Sequence, residues 1–117
     1  MNFDESLVRH AEWKDRFRSA IASHEKLNEG DIGCDNCCKL GLWLYAEGKQ
    51  LYGNSAQYAS LLAYHRQFHA EAGKVAHLIN QQHYLEAQHA LEPGASYGNA
   101  AHAMTVAIAA FKKLSES

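Results

Sequence analysis

The chain has 117 residues, of which 47% are apolar and 21% charged, enough to bury one core and too apolar for a disordered segment. Eleven basic residues against thirteen acidic ones leave a formal charge of −2, which excludes the basic field needed to grip nucleic acid or an anionic membrane surface. No run approaches the roughly 20 apolar residues of a membrane span. The acidic start, Met1 to Ser6, lacks the basic-then-apolar order of a signal peptide, so the expected location is the cytoplasm.

There is one proline, Pro93, and strand-favouring residues nowhere alternate over a useful length, so the chain reads as all-α. A first helix is predicted from Asn2 or Asp4, either a plausible N-cap, to about Leu27, with Gly30 beyond it. A second begins between Asp31 and Asp35 and continues through Leu40, Leu42, Trp43, Leu44 and Tyr45 to about Tyr52. Gly53-Asn54-Ser55 then supplies a stop and a fresh N-cap. The third and longest helix starts at Ser55 or Ala56 and ends between Gln82 and Glu92, ahead of Pro93-Gly94. Ser96-Tyr97-Gly98-Asn99 opens the last helix, which finishes with Lys112 and Lys113, charges that suit a helix C-terminus. Connections of a few residues make long helices antiparallel neighbours. The expectation is a single domain over 1–117, an antiparallel four-helix bundle.

Eight histidines and three cysteines carry the unusual chemistry. In the first helix Phe3, Leu7, His10, Phe17, Ile21 and His24 form one stripe, so His10 faces the core. In the third, Tyr58, Leu62, His65, His69, Ala72, Ala76 and Ile79 do the same. His65 and His69, four apart, project from one face about 5–6 Å apart at Cβ, a spacing that lets two imidazoles reach one metal ion. Burying several imidazoles together is costly without a shared charge or metal, and a tetrahedral zinc ion takes N and S ligands. His24 lies roughly 21 Å along the axis from His10 at 1.5 Å per residue, too far for the same ion. His24, His77, His83, His89 and His102 are expected as surface or capping residues.

The cysteines Cys34, Cys37 and Cys38 do not resemble a disulfide framework in a reducing cytoplasm. Cys34-Asp35-Asn36-Cys37 is formally a CxxC, yet no strand offers the thioredoxin-like setting for a redox pair, and no second CxxC completes a four-cysteine zinc site. Cys34 and Cys37 are therefore expected as unligated thiols. Cys38 opens Cys38-Lys39-Leu40-Gly41-Leu42-Trp43-Leu44-Tyr45, where Gly41 is expected to leave one helix face bare for a helix or ligand.

His10-Ala11-Glu12-Trp13, then Cys38-Lys39-Leu40-Gly41-Leu42-Trp43, then His65-Arg66-Gln67-Phe68-His69 closely resemble the chemoreceptor zinc-binding (CZB) domain. The resemblance implies a bundle holding one zinc ion between helices 1, 2 and 3 through His10, Cys38, His65 and His69, with Trp13 and Trp43 as core packing. It implies a cytoplasmic bacterial regulatory module rather than an enzyme, one that responds to zinc and, in some members, to oxidants through the ligand cysteine. Its partners would be signalling proteins such as chemoreceptors or diguanylate cyclases (chemotaxis, cyclic di-GMP signalling), and a homodimer is expected. The helix placed at the very start suits a stand-alone or N-terminal member. Cys34 and Cys37 stand outside the family motif and could capture an oxidised Cys38. Three other readings stay open. One is a hemerythrin-like di-iron oxygen-binding bundle, which needs inward carboxylates near His65 and His69 and finds only Glu71 close by. Another is a thiol oxidoreductase using Cys34 and Cys37. The last is a dimerisation module in which zinc is only a staple.

Overall fold

The computed structural model describes residues 1–116. It contains helices only, and no strand occurs among the described residues: α1 (Phe3–Ser23), α2 (Glu29–Ile32), α3 (Lys39–Leu44), α4 (Glu47–Tyr52), α5 (Ala56–Asn80), α6 (Tyr84–Ala90) and α7 (Ser96–Ser115). The all-α expectation is met, but the helix count is not four. The second expected helix is three short ones, and the third ends at Asn80, with α6 following separately.

Each boundary has a local cause. The Asn2 side chain accepts from Glu5 N–H at 2.9 Å, capping α1 at its start, and His24 closes it in the left-handed region (φ 57°), stacked on the Tyr84 ring at 4.2 Å. Ser55 caps α5 through Tyr58 N–H at 3.0 Å. α5 ends where Gln82 turns left-handed (φ 65°), a change of direction made without glycine or proline. The break between α3 and α4 falls at Tyr45 and Ala46, between Trp43 and Gly48, and the Trp43 ring lies against Gly48 so closely that a Cβ there would stand 2.7 Å from Cζ3.

α5 packs most extensively against α7. Phe3 meets Phe111 (5.4 Å) and Phe17 meets Tyr97 (5.5 Å), so α1 and α7 run in opposite directions. Lys112 Nζ closes the same end on Asp4 at 2.8 Å. The segment from α2 to α4 runs back along α5: Glu29 reaches His77 and Asn80, the Ile32 carbonyl reaches His69, and the Leu44 carbonyl accepts from Tyr58 Oη at 2.7 Å.

Two layers of core result. At one end Phe3, Trp43, Tyr52 and Phe111 pack edge to face or tilted, at 5.0–6.2 Å, worth about 0.5–1.5 kcal/mol per pair beyond area burial. In the middle Phe17, Phe68 and Tyr97 close beneath a group of buried histidines. Leu61 and Phe68 are buried although the expected α5 stripe passes them by, because α5 is covered from more than one side. No helix is long and apolar enough to cross a membrane among the described residues.

Candidate metal centre

His10 on α1, His65 and His69 on α5, and Cys38 at the N-cap of α3 converge, with one potential ligand atom from each lying within 4.8 Å of all the others. The four residues singled out by the sequence are thus brought together. The three imidazoles are buried and Cys38 is partly so. From Cys38 Sγ the Nε2 atoms lie at 3.3 Å (His65), 3.6 Å (His69) and 3.8 Å (His10). Zinc bonds of about 2.0–2.1 Å to N and 2.3 Å to S place such atoms about 3.5 Å apart across a tetrahedron. The donor set and its spacing fit that ion.

Backbone carbonyls decide which nitrogen faces inward. His10 Nδ1 donates to the Ser6 carbonyl at 2.7 Å, and His69 Nδ1 donates to the Ile32 carbonyl at 2.8 Å. Each bond fixes the tautomer, leaving Nε2 a bare lone pair aimed at the cluster. His65 is different: its Nδ1 is buried without a partner, and its Nε2 lies 3.1 Å from that of His69. Either position of its proton leaves a defect. On Nε2 the proton leaves Nδ1 a buried acceptor with no donor. On Nδ1 it leaves three Nε2 lone pairs facing one another with only the thiol proton between them. A cation at the centre removes the second difficulty.

Burial drives the electrostatics. It holds the His65 imidazole down to about 3, with His69 and His10 adding to the effect. Burial also lowers His10 and His69, each opposed by its backbone bond. All three are therefore neutral near pH 7, the form that ligates metal. Burial raises the Cys38 thiol, opposed first by the Gly41 N–H that points at its sulfur from 3.4 Å.

The carbonyls of Ser6 and Ile32 and the Gly41 amide are parts of this centre that the sequence did not reveal, since any residue type supplies a backbone group. Two expectations are corrected. Cys34 and Cys37 are not free thiols but form a disulfide, leaving Cys38 as the free cysteine. The turn Cys34–Cys37 folds the two side chains together, which spacing alone did not signal. Gly41 does not make room for another helix or a ligand. What rests on it is this chain's own loop, as a Cβ there would overlap the Asp35 carbonyl, standing 2.8 Å from its carbon and 3.0 Å from Asn36 Cα. Cys38 accordingly caps a helix instead of lying within one. The other histidines are peripheral: His24 caps α1, His77 Nδ1 meets Glu29 at 3.0 Å, His83 precedes α6, and His89 and His102 are exposed.

Glu71 turns to Lys74 at 3.0 Å, so the cluster holds three nitrogens and a sulfur and no carboxylate. A di-iron centre of the carboxylate type lacks its bridging groups here. No curated protein and no solved structure matches the chain. The family model of the chemoreceptor zinc-binding domain matches residues 10–76, a span that begins at His10, contains Cys38, His65 and His69, and covers more than half of the chain.

Proposed function

The chain belongs to the chemoreceptor zinc-binding domain family, a regulatory zinc-binding family whose members sit in signalling proteins, and from that premise we propose that it is a zinc-responsive regulatory domain. The observation that carries this reading is the convergence of three imidazole Nε2 atoms and one thiol sulfur, two of the imidazoles locked by backbone carbonyls to present bare nitrogen.

In this reading His10, His65 and His69 hold zinc through Nε2 and Cys38 through Sγ. The whole chain acts as one domain, a four-helix arrangement whose second member is broken into α2, α3 and α4. Four protein donors fill a tetrahedral shell, which suits a structural or sensory role rather than catalysis, where a position stays open for water or substrate. Bound zinc would hold Cys38 as thiolate, the form that oxidants attack. The residues do the rest. His10 ties α1, His65 and His69 tie α5, and Cys38 ties the start of α3, so losing one grip frees the α2–α4 segment from the long helices. That change is what a partner reads. The partner is a cytoplasmic signalling protein of the chemoreceptor or diguanylate cyclase kind, approached by a homodimer of this chain.

Metal content of protein purified without added metal, compared between wild type and Cys38→Ala, tests this. About one zinc per chain in the wild type, and zinc that a chelator removes readily from the variant, is the expected result. Iron in place of zinc would favour the di-iron reading, and no metal in either protein would refute the proposal.

A further inference from the structure

The chain contributes to the centre twice within a short interval. The Ile32 carbonyl orients His69, and Cys38 brings the sulfur. Cys34 and Cys37 lie inside that interval and are joined to each other. The ring they close is tied to the end of α2 through Cys34 N–H to the Asp31 carbonyl (3.3 Å) and is braced across itself by Cys37 N–H to the Cys34 carbonyl (3.4 Å). Its middle, the Asp35 carbonyl, rests on Gly41, whose amide points at Cys38 Sγ. The covalent state of this pair therefore sets how firmly the carbonyl that aims one imidazole is held relative to the sulfur.

The pair is reachable. Cys37 is exposed, and it lines with Cys38, Trp13 and Arg16 a cleft whose floor includes His69. Asn36 Oδ1 lies 2.9 Å from Cys34 Sγ, an oxygen to which a Cys34 thiol can donate once the bond between the sulfurs opens. Neither cysteine is needed to complete the four-donor cluster.

We propose that Cys34 and Cys37 form a second redox site, whose substrates are dithiol reductants and disulfide oxidants and whose state sets the affinity of the neighbouring centre for zinc. The inference rests on the metal reading above. In the reductive direction a thiolate of the dithiol attacks Sγ of the exposed residue Cys37, the bond to Cys34 breaks, and Cys34 Sγ leaves as thiolate and takes a proton. The second thiol of the reductant then attacks the mixed disulfide, freeing Cys37 as a thiol. Two electrons and two protons enter the pair, and the reductant departs as a cyclic disulfide. With the ring open, the turn between the Ile32 carbonyl and Cys38 loses its cross-link and is held only by noncovalent contacts. Loosening the groups that orient metal ligands costs about 10–100-fold in affinity.

The test uses the full chain, loaded with zinc, then treated with dithiothreitol or with oxidised glutathione and cleared of small thiols. Free cysteines are counted by mass after alkylation, and zinc affinity is read by competition with a chromophoric chelator. The oxidised form should carry one free thiol and bind zinc about tenfold more tightly than the reduced form with three. Cys34→Ser/Cys37→Ser, its helicity checked by circular dichroism, should show the reduced-form affinity whichever treatment it receives. Equal affinity in the two states, tighter binding by the reduced state, or failure of the pair to oxidise would overturn this proposal while leaving the zinc centre standing. No zinc binding in either state would remove both.

Discussion

Replacing Gly41 by alanine separates two effects of opposite sign. Helix propensity alone favours the change by about 1 kcal/mol, because glycine is a poor interior residue. The surroundings oppose it. The new Cβ would stand 2.8 Å from the Asp35 carbonyl carbon and 3.0 Å from Asn36 Cα, where ordinary contacts begin at about 3.4 Å, and it would overlap the carbonyl oxygen outright. These are backbone atoms, so no side chain can swing aside, and the loop must lift. Overlap with backbone places this overpacking at the upper end of the usual range, about 2–3 kcal/mol, and lifting the loop also moves the Cys38 sulfur that the Gly41 amide helps to hold. The expected result is a net loss of about 1–2 kcal/mol in urea unfolding with chelator present. Zinc affinity should fall at least about tenfold in a competition titration. A Gly41→Ala protein as stable as the wild type, or more stable, would refute the close approach of the loop.

Two further outcomes follow from buried groups. His10, His65 and His69 are held below their ordinary value by burial, so the unfolded chain binds more protons than the folded one. Metal-free protein should keep its stability above about pH 6.5 and lose it progressively as the pH falls towards about 3, the value to which His65 is pushed. His65 alone accounts for about 2 kcal/mol between pH 7 and pH 5, read as a shift of the urea midpoint, and a flat profile over that range would contradict it. Asn80 clasps the chain after α1, accepting from Leu27 N–H and donating to the Leu27 carbonyl, both at 2.8 Å, and to Glu29 at 2.9 Å. Asn80→Ala should cost about 1–3 kcal/mol in thermal unfolding while zinc stoichiometry stays unchanged; unaltered stability would show the clasp to be idle.

The four residues that converge in the candidate centre were legible because their signals are local or motif-like. His65 and His69 share a face by spacing alone, His10 sits on an apolar stripe, and Cys38 came from the resemblance to the family. The ends of the long helices were legible where side chains cap them, as at Asn2 and Ser55. The breaks were hidden for a different reason. α5 ends at Asn80, just ahead of a left-handed Gln82, a residue with no preference for that region, and the α3–α4 break lies where the Trp43 ring packs over Gly48. Both are consequences of packing between segments that composition does not encode. The carbonyls of Ser6 and Ile32 were out of reach for the same cause, since their role depends on where α1 and α2 place them.

The donors of the centre are divided unequally between kinds of support. The three imidazoles stand on helices of 21 and 25 residues, long enough to be held cooperatively along their whole length. The sulfur stands at the tip of a helix of six, between others of four and six, none of which would persist alone. Protein segments open independently in proportion to how little holds them, so the cost of exposing the sulfur is the cost of a local excursion, whereas exposing the nitrogens requires unfolding the molecule. In the proposed zinc-bound form, metal exchange would then have a direction built into it: the sulfur would let go first and return last, with the nitrogens as a preformed half-site between the two events.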